Sequence, residues 1–153
     1  MAAPPSSSAS PTPGQEAVVA FLATPAAYGG RCDHVDRIDT HISIVFLADD
    51  RAFKLKRAIT LPYVDYSTLR RRRVYCEREV ELNRRTAPAL YVGAIPVTES
   101  ADGILAIQGR GPVVEWLVEM KRFAQDALLD AVADRGALDP ALVAAVGHAA
   151  ARL

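Results

Sequence analysis

Three ionisable side chains have the types and spacing for anion chemistry. In "RAFKLKRA", residues 51–58, strand alternation puts Ala52, Lys54 and Lys56 on one face and Phe53 and Leu55 on the other. A lysine ammonium is a compact point charge suited to phosphate oxygens. A small residue two positions before Lys54 leaves room for something flat beside it. A lysine buried on a sheet face needs a counter-charge. The helical stretch that follows contains a candidate. Glu79 has Tyr75, Cys76, Leu82 and Asn83 three and four positions to either side, so it lies inside the apolar stripe. Glu81, flanked by Glu77, Arg78, Arg84 and Arg85, projects onto a solvated face. Two plainer alternatives stand beside this reading: an outer sheet face with solvated lysines, and a structural pair between Glu79 and Arg72.

The elements that must position these groups follow from periodicity and punctuation. "GQEAVVAFLATPAAYGG" predicts a short helix at roughly 15 to 24, stopped by Pro25 and Gly29-Gly30. Val35, Ile38, Ile42, Ile44, Val45, Phe46 and Leu47 predict strands, with "ADDR" as the turn into the Phe53–Lys56 return strand. "TLPYVDYS" reads as a loop, and Asp65 and Ser67 are candidate caps of the next helix. "STLRRRRVYCEREVELNRRTAP" is helical, with no internal Gly or Pro. "YVGAIPVTES", "GILAIQG" and "PVVEWLVEMKRF" predict antiparallel strands separated by "ADG" and "GRGP". The remaining residues predict two amphipathic helices broken at "RGALDP", with Gly136 just past one helix and Asp139-Pro140 opening the other. The order predicts an α+β fold: an antiparallel sheet with a long helix against one face.

Composition narrows the function classes. Lys plus Arg and Asp plus Glu number 18 each, which argues against a dedicated nucleic-acid or membrane-surface protein. Cys32 and Cys76 form neither a disulfide framework nor a zinc spacing, in keeping with a reducing cytoplasm. No apolar run approaches the roughly 20 residues that span a bilayer. "MAAPPSSSASPTPGQ" lacks the basic and apolar regions of a secretory signal, and residues 1–14 read as a disordered tail. The arginines at 70–73 alternate with acidic residues one to two turns on, which predicts a charge-laced helix and no nucleic-acid partner. "CDHVDRIDTH" is rich in possible ligands, but strand alternation splits them between faces and no metal site is expected.

In order, "THIS", "VFL", "AFKLK", "DYSTL", "CEREVELNRR" and "VEMKRF" resemble the N-terminal part of aminoglycoside-phosphotransferase-like enzymes. More narrowly, the chain is similar to the bacterial group of bifunctional aminoglycoside phosphotransferase and ATP-binding proteins. The resemblance runs from about residue 35 to the end. It implies a protein-kinase-like N-terminal lobe at 15–123, followed at 124–153 by helices of an incomplete C-terminal lobe. A strand Lys paired with a Glu on the next helix positions phosphate in such folds. By this resemblance Lys54, or Lys56 beside it, holds the phosphates of ATP, with Lys54 favoured because Ala52 matches the small residue of the kinase strand. Glu79 orients that lysine. "DTHIS" covers the phosphates through Thr40, His41 and Ser43, without the usual glycines. Residues 119–123 form the hinge, where Glu119 and Lys121 meet adenine, and one of Trp116, Val118 or Met120 lines the adenine pocket.

Family members continue into a second lobe with a catalytic aspartate, an asparagine and a metal-binding aspartate. No His-x-Asp followed by Asn occurs after residue 121, and no P-loop pattern is present. The resemblance therefore implies an ATP-binding front lobe, as a fragment or truncated product with no catalytic residue of its own. Mg²⁺ is expected only in a complete enzyme, as is a hydroxyl-bearing small-molecule acceptor. The alternative is a non-catalytic nucleotide-binding or interaction module, self-associating through exposed C-terminal helices.

Overall fold

The computed structural model describes residues 14–152. The tail expected at 1–14 falls, apart from Gly14, outside the described residues. The fold is α+β. Its centre is a six-stranded sheet in the order β1-β2-β3-β8-β6-β7, with antiparallel pairing throughout. The strands are β1 (Asp36–Asp39), β2 (Ser43–Ala48), β3 (Arg51–Lys56), β6 (Tyr91–Glu99), β7 (Leu105–Ile107) and β8 (Val113–Lys121). β4 (Thr60–Leu61) and β5 (Val64–Asp65) make a separate two-stranded hairpin inside the stretch expected to be a loop.

One helix covers each face of the sheet. α1 (Glu16–Leu22) is brief because Pro25 starts a 3₁₀ turn and Gly29 and Gly30 follow with positive φ. Val18, Val19 and Leu22 nevertheless pack into the larger core with Ile44, Phe46, Phe53, Leu55, Ile95, Val97 and Leu117. Full burial of such a side chain stabilises by about 1.5–3 kcal/mol, which explains why so short a helix holds its place. α2 (Leu69–Asn83) covers the other face, where Cys76 and Val80 meet Val118, Trp116 and Met120. Sequence pattern placed one helix against one face; α1 closes the second because its apolar residues match the Phe53–Leu55 side of β3.

Local chemistry sets the ends of these elements. Asp49 sits at φ +53° in the β2–β3 turn, a conformation that Asp tolerates better than most residues. α2 is capped by Thr68, whose hydroxyl accepts from the Arg71 N–H at 3.2 Å, and not by Asp65 or Ser67. Asp65 instead accepts from Ser67 and pairs with Arg71, which fastens the chain just before the helix. Further on, α3 (Leu129–Asp134) ends at Gly136 with φ +67°. α4 (Pro140–Ala150) starts at Asp139, whose side chain accepts from the Leu142 N–H at 2.7 Å. Neither α3 nor α4 has a buried residue, and Leu129, Leu138, Val143 and Val146 are exposed. No helix among the described residues is long and apolar enough to cross a membrane.

Candidate functional site

β3 runs between β2 and β8, and its register builds the site. Ile38, Val45, Lys54 and Val118 form one row across β1, β2, β3 and β8. Leu47, Ala52, Met120 and Tyr91 form the next row across β2, β3, β8 and β6. Directly opposed residues point to the same face, so both rows lie on the α2 side. There all of these residues except Val118 line a cleft of about 300 Å³, which the 121–123 segment also borders. Ligand pockets span roughly 300–1,000 Å³. The lining of Ile38, Val45, Leu47, Ala52 and Met120 is apolar, and Lys54 supplies a cation at its edge.

The three groups singled out from sequence meet here. The Lys54 ammonium donates to Glu79 Oε1 at 2.8 Å, and the Lys56 ammonium donates to Glu79 Oε2 at 2.5 Å. The lysines differ in access: Lys54 is 30% exposed, Lys56 only 4% and Glu79 14%. Lys56 also lies 5.0 Å from the centre of the Tyr66 ring, a cation–π contact. Burial disfavours charge on Lys56, but the hydrogen bond and charge of Glu79 outweigh it and raise the Lys56 pKa. Burial likewise penalises the Glu79 carboxylate, and the two lysines overcome this and lower its pKa. Cys76, beneath the same helix, has its thiol pushed up to about 12, chiefly by burial.

Arg72, the other partner considered for Glu79, is engaged elsewhere. Its Nε donates at 2.8 Å to Glu115, which is 1% exposed. The second Glu115 oxygen accepts from Gln15 Nε2 at 2.6 Å, and that same group also donates to the Lys56 carbonyl at 3.0 Å. This buried knot ties α1 and α2 to the end of β3. A polar residue before α1 and a Glu flanked by apolar residues in a strand were its traces in the sequence.

The other expected site residues are distributed unevenly. Met120, not Trp116 or Val118, lines the cleft; Val118 is buried against α2 and Trp116 packs under Arg73 at 5.0 Å. Lys121 borders the cleft, but its N–H already donates to the Leu90 carbonyl at 2.9 Å. Glu119 is a paired strand residue opposite Phe53 and Gly93, and its carboxylate is held on the far face by Arg51 at 2.9 Å. The β1–β2 turn is closed by Thr40, whose hydroxyl donates to the Ser43 carbonyl at 3.0 Å and accepts the Ser43 N–H at 2.9 Å. His41 is exposed at the tip. Ser43 stands opposite Lys56, and its buried Oγ has no hydrogen-bond partner among the described residues.

The arginine run and the ligand-rich segment are largely occupied within the fold. Arg71 pairs with Asp65, Arg72 with Glu115 and Arg73 with Glu77. Asp36 pairs with Arg122, and Asp39 with Arg37 and Arg57. Among the described residues no three His, Cys, Asp or Glu side chains converge to hold a metal ion. A larger cavity of about 450 Å³ lies on the far face beside Tyr28, Phe53 and Glu119. Among its lining residues Arg51 pairs with Glu119, and Asp49 and Asp50 add negative charge, whereas Lys54 and Lys56 share one carboxylate. The α2-side cleft is therefore the stronger site for an anion.

No family model matches the chain, and no solved structure matches it. Curated relatives include the uncharacterized proteins Mb2027c of Mycobacterium bovis and Rv2004c of Mycobacterium tuberculosis. Each is 38% identical over 69 residues, which is 45% of this chain and 14% of the relative.

Proposed function

We propose that this chain is a kinase-like ATP-binding lobe of a phosphotransferase whose acceptor is a hydroxyl-bearing small molecule. The observation that carries the reading is the Lys54–Glu79 pair at 2.8 Å on the edge of an apolar cleft. A flat base between Ile38, Val45, Ala52 and Met120 would place its phosphates toward Lys54, where an ammonium already oriented by a carboxylate meets them. Ala52 keeps the floor low beside that lysine. Transfer also requires a base for the acceptor hydroxyl and ligands for Mg²⁺; in this reading both come from outside the residues described here. The resemblance to aminoglycoside-phosphotransferase-like enzymes belongs to the same proposal and leaves the acceptor itself open.

The test is ATP binding by the 153-residue chain, followed by isothermal calorimetry and by thermal shift. Saturable binding that Lys54→Met abolishes supports the reading. Absence of binding, or binding untouched by Lys54→Met, overturns it. The exposed apolar residues of α3 and α4 favour a second reading, a non-catalytic module that associates through those helices. Concentration-dependent dimers without ATP binding would select it.

A further inference from the structure

A single Lys–Glu pair explains a strand lysine and a helix glutamate, but it leaves Lys56 unused. Lys56 is the more deeply buried of the two lysines, and it makes the shorter contact to Glu79, 2.5 Å against 2.8 Å for Lys54. A buried ammonium costs free energy unless it is paired. A hydrocarbon would fill that space at lower cost unless the charge serves something.

We infer that Lys56 is a positioning residue that neutralises Glu79, so that Lys54 keeps a full uncompensated charge for the phosphates of a nucleotide. The inference rests on the ATP reading of the cleft. A lone Lys54–Glu79 pair would be neutral overall, and a phosphate would have to compete with the carboxylate for the ammonium. With Lys56 on Oε2, two ammoniums and one carboxylate leave one net positive charge, and it sits at the accessible member. Lys56 is unsuited to meet the ligand itself, because its ammonium is enclosed by Glu79 and the face of Tyr66. Lys54 can share its protons with a phosphate while Glu79 stays anchored to Lys56.

The inference predicts a particular non-additivity in ATP affinity, measured without metal at fixed salt. Lys56→Met should weaken ATP binding about tenfold in the wild-type background, because Glu79 then competes fully for Lys54. In the Glu79→Gln background the same change should cost no more than about twofold, since the competing charge is gone. Equal losses in both backgrounds would mean that Lys56 acts only as a distant positive charge, and would overturn the inference. So would unchanged affinity in a folded Lys56→Met protein. If wild-type protein does not bind ATP, the nucleotide reading falls and the inference with it; if it binds through Lys54 but ignores Lys56, the inference alone falls. A second measurement needs no variant. On addition of ATP, the side-chain ¹⁵N ammonium resonance of Lys54 should shift and that of Lys56 should stay. A shift at Lys56 as large as that at Lys54 would overturn the assignment.

Discussion

Glu79→Gln gives the sharpest test of the charge cluster, because it removes one charge and almost no volume. Lys54, at 30% exposure, can turn its ammonium toward water when the carboxylate is lost. Lys56, at 4%, cannot. Breaking a buried pair by removing one partner costs about 3–5 kcal/mol. The glutamine still accepts one hydrogen bond, so about 3 kcal/mol is expected. With a urea m-value of about 1.5 kcal/mol/M, the midpoint should fall by about 2 M. The pH dependence supplies a signature that a packing defect lacks. In the wild type, the Glu79 pKa is lowered, so its contribution is full above 4.5 and fades as pH falls through the lower folded value. The Lys56 pKa is raised, so its contribution is full below 10.5 and fades as pH rises through the higher folded value. In Glu79→Gln burial, the largest influence on Lys56, loses its main opponent and drives the group toward the neutral amine, with Tyr66 and Cys76 still opposing it. Below 10.5 the folded chain then binds fewer protons than the unfolded one, and stability should rise as pH climbs toward that value. Urea titrations from pH 5 to 10, where both wild-type contributions are full, read the variant's lower midpoint and its new slope. A midpoint within about 0.3 M of wild type, or an unchanged pH profile, would refute the pairing.

Other consequences are simpler to read. Lys54→Met should abolish the ATP-dependent thermal shift while lowering ligand-free stability by about 1 kcal/mol or less, since Glu79 keeps Lys56; a large loss of stability without ligand would count against a ligand-facing Lys54. Glu115→Gln should cost about 3–5 kcal/mol by chemical denaturation, because Arg72 is left buried without its counter-charge. ATP affinity in the folded variant should stay near that of wild type, and a selective loss of affinity would extend the site to this knot. Cys76 is fully buried with its thiol pKa near 12, so a thiol reagent at pH 8 should modify the partly exposed Cys32 and spare Cys76 until urea unfolds the chain. Equal rates for both thiols in the native protein would contradict the packing of α2.

Much of this arrangement was legible from local pattern. The Asp49-Asp50 turn, the strand at 51–56 and the Gly136–Asp139 break are each set by a residue's own backbone preferences and its near neighbours. Glu79 stood out because helix geometry relates residues three and four apart, whatever the rest of the chain does. The same rule misled at Tyr75 and Leu82, which share its flank by projection yet are exposed, because the buried stripe runs through Arg72, Cys76 and Val80. Projection gives the angle of each side chain and not the line along which the sheet meets the helix.

What the sequence by itself determined is therefore the main elements apart from the β4–β5 hairpin, most of their turns, and the fact that lysines on one strand face and a glutamate on an apolar helix flank require one another. Alternation and helical period act over a few residues, and they need no partner. Tertiary structure alone decided the sheet order β1-β2-β3-β8-β6-β7, the second covering helix, and the diversion of Arg72 to Glu115. It also decided that Glu79 answers both lysines and that only Lys54 reaches the cleft. Those outcomes depend on register between segments tens of residues apart, where a shift of one residue turns every side chain to the opposite face.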